Sequence, residues 1–166
     1  IFRDSSALTV NNGKTSHLGA EANLNFTLVD SLHLNLVGNY AEHEYDFRHL
    51  MGGVDIDGLD VDTAPNWFGS AQLQWQANDM LYLELDWQHM GSYYTDPENL
   101  HKYDGHDVLN LRSRWKIISQ LDVTVNVLNL LDTEYAKRAD YSSFSGDRYF
   151  PGEPLAVYGS LRYQWQ

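Results

Sequence analysis

The sequence predicts an all-β protein: an antiparallel up-and-down transmembrane β-barrel, here a partial barrel of about seven to eight strands. Three observations carry that expectation. Apolar and polar residues alternate one for one through segment after segment, the period of a strand with one apolar and one polar face. Connections alternate between short turns and long loops, the asymmetry of outer-membrane barrels. Aromatic residues sit at segment ends, at Trp67, Trp75, Trp87, Trp115, Tyr163 and Trp165, where such barrels carry interfacial girdles.

Ile1 to Asp4 reads as the end of a strand, and Ser5 to Lys14 as a loop turning at Asn11-Asn12-Gly13. Leu18 to Val29 is the first full strand. Ala20, Ala22, Leu24, Phe26 and Leu28 share one face, and Glu21, Asn23, Asn25 and Thr27 the other. Asp30-Ser31 turns the chain into Leu32 to Tyr40, with Leu32, Leu34, Leu36 and Tyr40 opposed to His33, Asn35 and Asn39. So short a connection dictates a hairpin. Ala41 to Ala64 reads as a long acidic loop. Trp67 to Gln76 and Leu81 to His89 form the next pair about Ala77-Asn78-Asp79, with Ala71, Leu73, Leu83 and Leu85 opposed to Gln72, Gln74, Glu84 and Asp86. After a second long loop, Gly91 to Asp107, Val108 to Ile117 sets Leu109, Leu111, Trp115 and Ile117 against Asn110, Arg112, Arg114 and Lys116. Ser119-Gln120 leads into Leu121, Val123, Val125 and Val127, which alternate with Asp122, Thr124 and Asn126 in a strand running on to Leu131. The last strand, Leu155 to Gln166, alternates Val157, Leu161, Tyr163 and Trp165 with Ser160, Arg162 and Gln164.

Every wall charge falls opposite the leucines, so a one-residue register slip would turn all of them onto the apolar face. Leu24, Leu34, Leu73, Leu83, Leu111, Val125 and Leu161 are therefore expected to face lipid. Glu21, Glu84, Asp86, Arg112, Arg114 and Arg162 are expected to face the lumen. Seven full strands and a stub make an odd count, whereas bacterial single-chain barrels have even counts. With a chain that opens at Ile1 in mid-strand, the expectation is a piece of a larger barrel.

Composition excludes several classes. A net charge of −12 argues against nucleic-acid binding, which calls for a basic patch. With no cysteine there is neither a disulfide framework nor a thiolate site. The mean hydropathy of −0.46 does not exclude a membrane, because lipid-facing and lumen-facing residues average out in a barrel wall. No GxSxG, HExxH or phosphate-cradling glycine loop occurs, so the chain reads as no enzyme and calls for no cofactor.

The closing segment is the most specific. Val127-Leu-Asn-Leu-Leu-Asp132 is followed by Tyr135, then by Arg148-Tyr-Phe-Pro-Gly-Glu-Pro154, then by a strand ending in aromatics. This arrangement resembles the C-terminal end of TonB-dependent outer-membrane receptors. The resemblance implies residues 1–166 as the C-terminal portion of such a barrel domain, with no plug domain in these residues. It implies the outer membrane of a Gram-negative bacterium, active transport of a scarce nutrient such as a ferric siderophore, and partners in outer-membrane lipid and, through the N-terminal part of the receptor, the TonB energy-coupling complex. The chain departs from the family in ending Trp165-Gln166 rather than on an aromatic residue.

Two clusters are candidate sites. Tyr135, Arg138, Tyr141 and Phe144 fall in the last long loop. Arginine offers a planar donor fork and aromatic rings a stacking surface, so these four are the candidate ligand contacts, against the alternative of a loop packed on its neighbours. Arg148 and Tyr149 lie in the closing motif and read as structural. Asp55, Asp57, Asp60 and Asp62 offer hard oxygen ligands at calcium density, against the commoner reading of a solvated acidic loop. His43, His49, His101 and His106 lie in or beside the loops without recurrent ligand spacing, so no metal site is assigned to them. Two other readings compete for the whole chain: a small self-contained outer-membrane barrel with a structural or adhesive role, and a soluble β-sandwich binding module.

Overall fold

The computed structural model describes residues 13–165 in full, together with the backbone of residues 2–3 and 9–10. Seven strands form one antiparallel sheet: β1 (Thr15–Val29), β2 (Leu32–Tyr45), β3 (Trp67–Asn78), β4 (Leu81–Met90), β5 (His106–Ile118), β6 (Leu121–Leu128) and β7 (Ala156–Tyr163). Each pairs with its neighbour in the chain, so the sheet is a continuous up-and-down meander with β1 and β7 at its two edges. Phe2–Arg3 pairs with Thr9–Val10 in a separate two-stranded ladder, so the expected opening loop contains a short strand. The expected turn at Asn11-Asn12 lies outside the described residues.

The register is continuous across the wall. One row runs Leu24, Leu36, Ala71, Trp87, Leu109, and the next Phe26, Leu34, Leu73, Leu85, Leu111, Val127, Val157. On the other face the rows run Asn25, Asn35, Gln72, Asp86, Asn110, and Thr27, His33, Gln74, Glu84, Arg112, Asn126, Tyr158. The expected separation of leucines from charges therefore holds through these rows, while toward the long loops Glu42, Glu44 and Asp107 fall on the leucine side. Large side chains on the apolar face stay exposed, among them Leu24, Phe26, Trp75, Val157 and Leu161. A soluble monomer rarely exposes so continuous an apolar surface. Aromatics bound this face in two belts, Tyr40, Trp67 and Trp87 toward the long loops and Trp75, Trp115 and Tyr163 toward the short turns.

The three short turns share one construction. Residues 30–31, 79–80 and 119–120 connect the strands, and the ladder slips by one residue just before each, between Thr27 and Val29, Gln76 and Asn78, and Lys116 and Ile118. Mirror-image two-residue turns need a residue with φ > 0, and the positive-φ residues lie elsewhere. A one-residue bulge on the incoming strand, which increases local twist, accompanies each turn instead. Leu28 and Ile117 sit in these bulges, a departure from the simple alternation expected of them.

Strand ends differ from the sequence reading at the long-loop side. β1 and β2 run on past the apolar stripe to Thr15 and Tyr45, through pairs such as Leu18 with Glu42 and Ser16 with Glu44. Backbone pairing continues there without a hydrophobic face to announce it, so the acidic loop begins at residue 46. β6 stops at Leu128 rather than Leu131, because Asn129 takes a left-handed conformation, φ 49°.

Candidate functional site

Buried side chains among the described residues do not lie between sheet layers. They gather where the three long loops, residues 46–66, 91–105 and 129–155, stand above the sheet. At the first loop, Tyr45 from the end of β2 forms an apolar cluster with Met51 and Ile56, packed by Phe47, Leu59 and Val61. In the second and third, Tyr93, Ala136 and Ala139 pack with Met90 and Tyr103. The first loop thus buries its own apolar residues, and the second and third bury theirs against each other, which offsets the entropy of ordering them.

Polar contacts tie the loops to one another. Asn99 Oδ1 accepts from the Asp60 amide and Asn99 Nδ2 donates to the Asp60 carbonyl, both at 2.9 Å, joining the first loop to the second. The Thr63 amide donates to the Tyr94 carbonyl at 2.8 Å. Between the second and third loops, the Ala136 amide donates to the Tyr103 hydroxyl at 3.0 Å and the Ala139 amide to the Tyr93 hydroxyl at 2.7 Å. Burial pushes both tyrosine hydroxyls up in pKa, so they remain protonated hydroxyls. The Tyr141 amide donates to the Thr95 carbonyl at 2.9 Å.

The third loop contains a two-stranded ladder, where the sequence reading gave only a long loop. Ala136–Ser142 pairs with Gly146–Pro151 as a hairpin standing over the sheet. The four candidate contacts separate on it by role. Tyr135 packs at the base: its ring meets His106 at 4.6 Å between centroids, and its carbonyl accepts from the Gly152 amide at 2.8 Å. A Cβ on residue 152 would fall 2.2 Å from that ring, so glycine alone permits the approach. Tyr141 stacks on His101, centroids 3.5 Å apart at 11°. Arg138 lies over the Phe150 ring at 5.5 Å and pairs with Asp140 at 2.9 Å, while its own side chain remains 62% exposed. Phe144 stands fully exposed at the hairpin tip. Arg148, read as structural, binds Asp140 from the opposite strand, and Tyr149 meets Tyr103.

The four aspartates of the acidic loop do not converge. Asp55 pairs with Arg48 at 3.4 Å and accepts from the Asp57 amide at 3.3 Å. Asp62 accepts from the Tyr45 hydroxyl. Burial holds the Asp62 carboxyl above its ordinary pKa, and the hydrogen bond from Tyr45 acts the other way. Asp60 joins the second loop through its backbone. Among the described residues no group of three or more His, Cys, Asp or Glu side chains gathers in one place.

Residues 1–130 match the family described as TonB dependent receptor-like, beta-barrel. This chain belongs to the TonB-dependent receptors. Receptors of this family sit in the outer membrane of Gram-negative bacteria. Its fold is that of their barrel wall, superimposing on the ferric yersiniabactin uptake receptor FyuA from Yersinia pestis with a TM-score of 0.75, at 18% identity over 93% of this chain and 24% of that one. It superimposes on the ferric citrate transporter FecA with a TM-score of 0.79, at 16% identity over 98% and 26%. On the ferric-catecholate import receptor Fiu from E. coli K12 the TM-score is 0.72, at 18% identity over 98% and 23%. The chain thus spans about a quarter of the length of these solved receptors. No curated protein matches the sequence.

The receptor's closing motif has a physical reason that sequence reading missed. Asn129 is buried and fully used. Its amide donates to Asn110 Oδ1, its Oδ1 accepts from the Thr133 amide, and its Nδ2 donates to the carbonyls of Thr133 and Glu153. Asp132, also left-handed at φ 51°, accepts from the Leu155 amide at 3.0 Å. These two residues clamp the two feet of the third loop together. The signal was present in the sequence as Asn and Asp, three residues apart and just past the alternation, because these types tolerate left-handed backbone and cap their own turns.

Proposed function

We propose that this chain is the C-terminal portion of the barrel domain of an active-transport receptor that takes up a scarce nutrient, a ferric siderophore foremost. Its apolar face meets outer-membrane lipid and its polar face lines the lumen. The long loops stand on the extracellular side. Coupling to the TonB complex belongs to other parts of the receptor. One observation carries the reading: seven strands hold a register, interrupted only by the bulges beside the short turns, that keeps Glu84, Asp86, Arg112 and Arg114 off the leucine face, in a fold shared with receptors whose names specify ferric chelates.

Ligand contact in this reading falls to the exposed part of the third-loop hairpin. Arg138 offers a guanidinium to anionic oxygens and Phe144 a free ring, while Tyr135 and Tyr141 hold the hairpin in place. The double variant Arg138→Ala, Phe144→Ala should weaken binding of a ferric catecholate or ferric citrate probe to outer membranes matched for receptor level. It should leave receptor abundance and heat-modifiability unchanged. Unchanged binding of every ferric chelate that the parent binds would remove the hairpin from ligand recognition.

A further inference from the structure

The β1–β2 ladder sets His17 directly opposite His43. Both lie on the polar face, in the set that contains Glu21, Asn23 and Asn39, near the long-loop end of the wall. The rings meet edge-on with centroids 5.0 Å apart, and the two Nδ1 atoms are 2.7 Å from each other. Thr15 Oγ1 lies 2.9 Å from His17 Nε2. His17 is exposed and His43 half-buried, so the pair is open to solvent.

We propose that His17 and His43 form a two-imidazole site for a divalent transition-metal ion, copper(II) foremost, on the polar face of the wall. Three physical points support it. Backbone pairing fixes the spacing, so the ligands are brought together before any metal arrives. Metal–imidazole bonds run about 2.0 Å, so nitrogens 2.7 Å apart subtend roughly 85° at a shared ion on bonds of that length. That is close to a corner of a square-planar site and well short of a tetrahedral angle, and square-planar nitrogen coordination favours Cu(II) or Ni(II). Of the divalent first-row ions, copper binds nitrogen sites most tightly.

Each ring must turn by roughly 50° about its Cβ–Cγ bond for its Nδ1 to point at the shared ion rather than at the other ring. We assign the Nε2 proton of His17 to a hydrogen bond onto Thr15 Oγ1, which leaves that ring's Nδ1 bare and gives the proton between the rings to His43. On metal binding this proton leaves Nδ1 to solvent and another enters at His43 Nε2. Both imidazoles stay neutral and the ion keeps its two charges. Thr15 is then a positioning residue, since a hydrogen bond at the distal nitrogen fixes tautomer and ring orientation in metal sites. Among the described residues no third such side chain joins the pair, so water completes the coordination.

The test is titration of the tag-free receptor, purified from outer membranes in detergent, with Cu(II), read by calorimetry and by electron paramagnetic resonance. One copper per receptor is expected, with two equatorial nitrogens in the spectrum and weaker competition by Zn(II). His17→Gln and His43→Gln should each lower affinity tenfold or more and leave a one-nitrogen spectrum. His89→Gln, which removes a histidine bound to Asp107 at 2.9 Å, should change neither. Thr15→Val should weaken binding severalfold and keep two nitrogens. A wild-type spectrum without two equatorial nitrogens would overturn the proposal before any variant is made. So would affinity unchanged in both glutamine variants.

Discussion

Asn129 shows how one side chain can hold a long excursion closed. It is almost fully buried, at 1% exposure, and both polar atoms of its amide are used. Removing it orphans the Thr133 amide and the carbonyls of Thr133 and Glu153, and one buried group left unpaired costs about 1–3 kcal/mol. Asn129→Ala should therefore destabilise the third loop by at least that amount, read as faster hydrogen exchange at Thr133 and Leu155. Asn129→Gly keeps the left-handed backbone and loses the bonds. If the glycine variant exchanges as slowly as wild type, conformation rather than bonding is what matters there. Asp62 gives a second residue-scale expectation. Its folded pKa is raised by burial above the ordinary value of 3.8, with Asp96 and Asp140 adding to the shift and Tyr45 opposing it. A raised carboxyl stabilises the fold when protonated, so that contribution is present at low pH and is lost as pH rises from about 3.8 through the raised value. The Tyr45–Met51–Ile56 cluster should thus resist proteolysis better at pH 4 than at pH 7. Asp62→Asn should flatten that difference, and a cluster that loosens on acidification in the parent would contradict the assignment.

At the scale of elements, what could be read from sequence is what burial and solvent dictate. The seven wall strands were legible because a period of two survives wherever one face is apolar and the other polar. The same signal fades above the apolar stripe, so Ala41 to Tyr45 read as loop although the ladder continues through it. It is silent about Ala136–Ser142 and Gly146–Pro151, whose residues are held by neighbouring loops rather than by one apolar face. For the same reason the candidate ligand residues could be grouped by position but not sorted into exposed Arg138 and Phe144 and packed Tyr135 and Tyr141. The wall itself allows a sharper test. Leu83 lies in the central strand β4, opposite Trp75 on one side and Ser113 on the other, on the apolar face. Leu83→Arg should cost about 2–4 kcal/mol if that position is near the bilayer midplane. Leu83→Cys should react with a membrane-soluble thiol probe. Labelling only by a water-soluble reagent from the lumen would reverse the two faces.

The whole molecule poses a problem of edges. β1 offers one side of its backbone to β2 and β7 one side to β6, and among the described residues no strand takes up the opposite side of either. In hydrocarbon each unpaired amide and carbonyl costs several kcal/mol, so only a closed ladder is tolerated. Among the described residues the sheet carries no second layer to bury its apolar face against, and the buried clusters lie at the loops. Closure by β1 against β7 would make a seven-stranded barrel, below the eight strands whose interior side chains just fill. The polar face would then have to pack Arg112, Arg114, Lys116 and Arg162 with Glu84, Asp86 and Asp122 into a lumen too narrow to hydrate them, and buried charge is costly unless fully paired. The 166 residues expressed alone should therefore not fold in detergent to a compact monomer that resists unfolding by heat. They should run as an expanded or self-associated species, and co-expression with the strands that flank them in a full receptor should restore a heat-modifiable band. A compact, heat-modifiable monomer from this chain alone would show that its edges close, and would favour a small self-contained barrel over a segment of receptor wall.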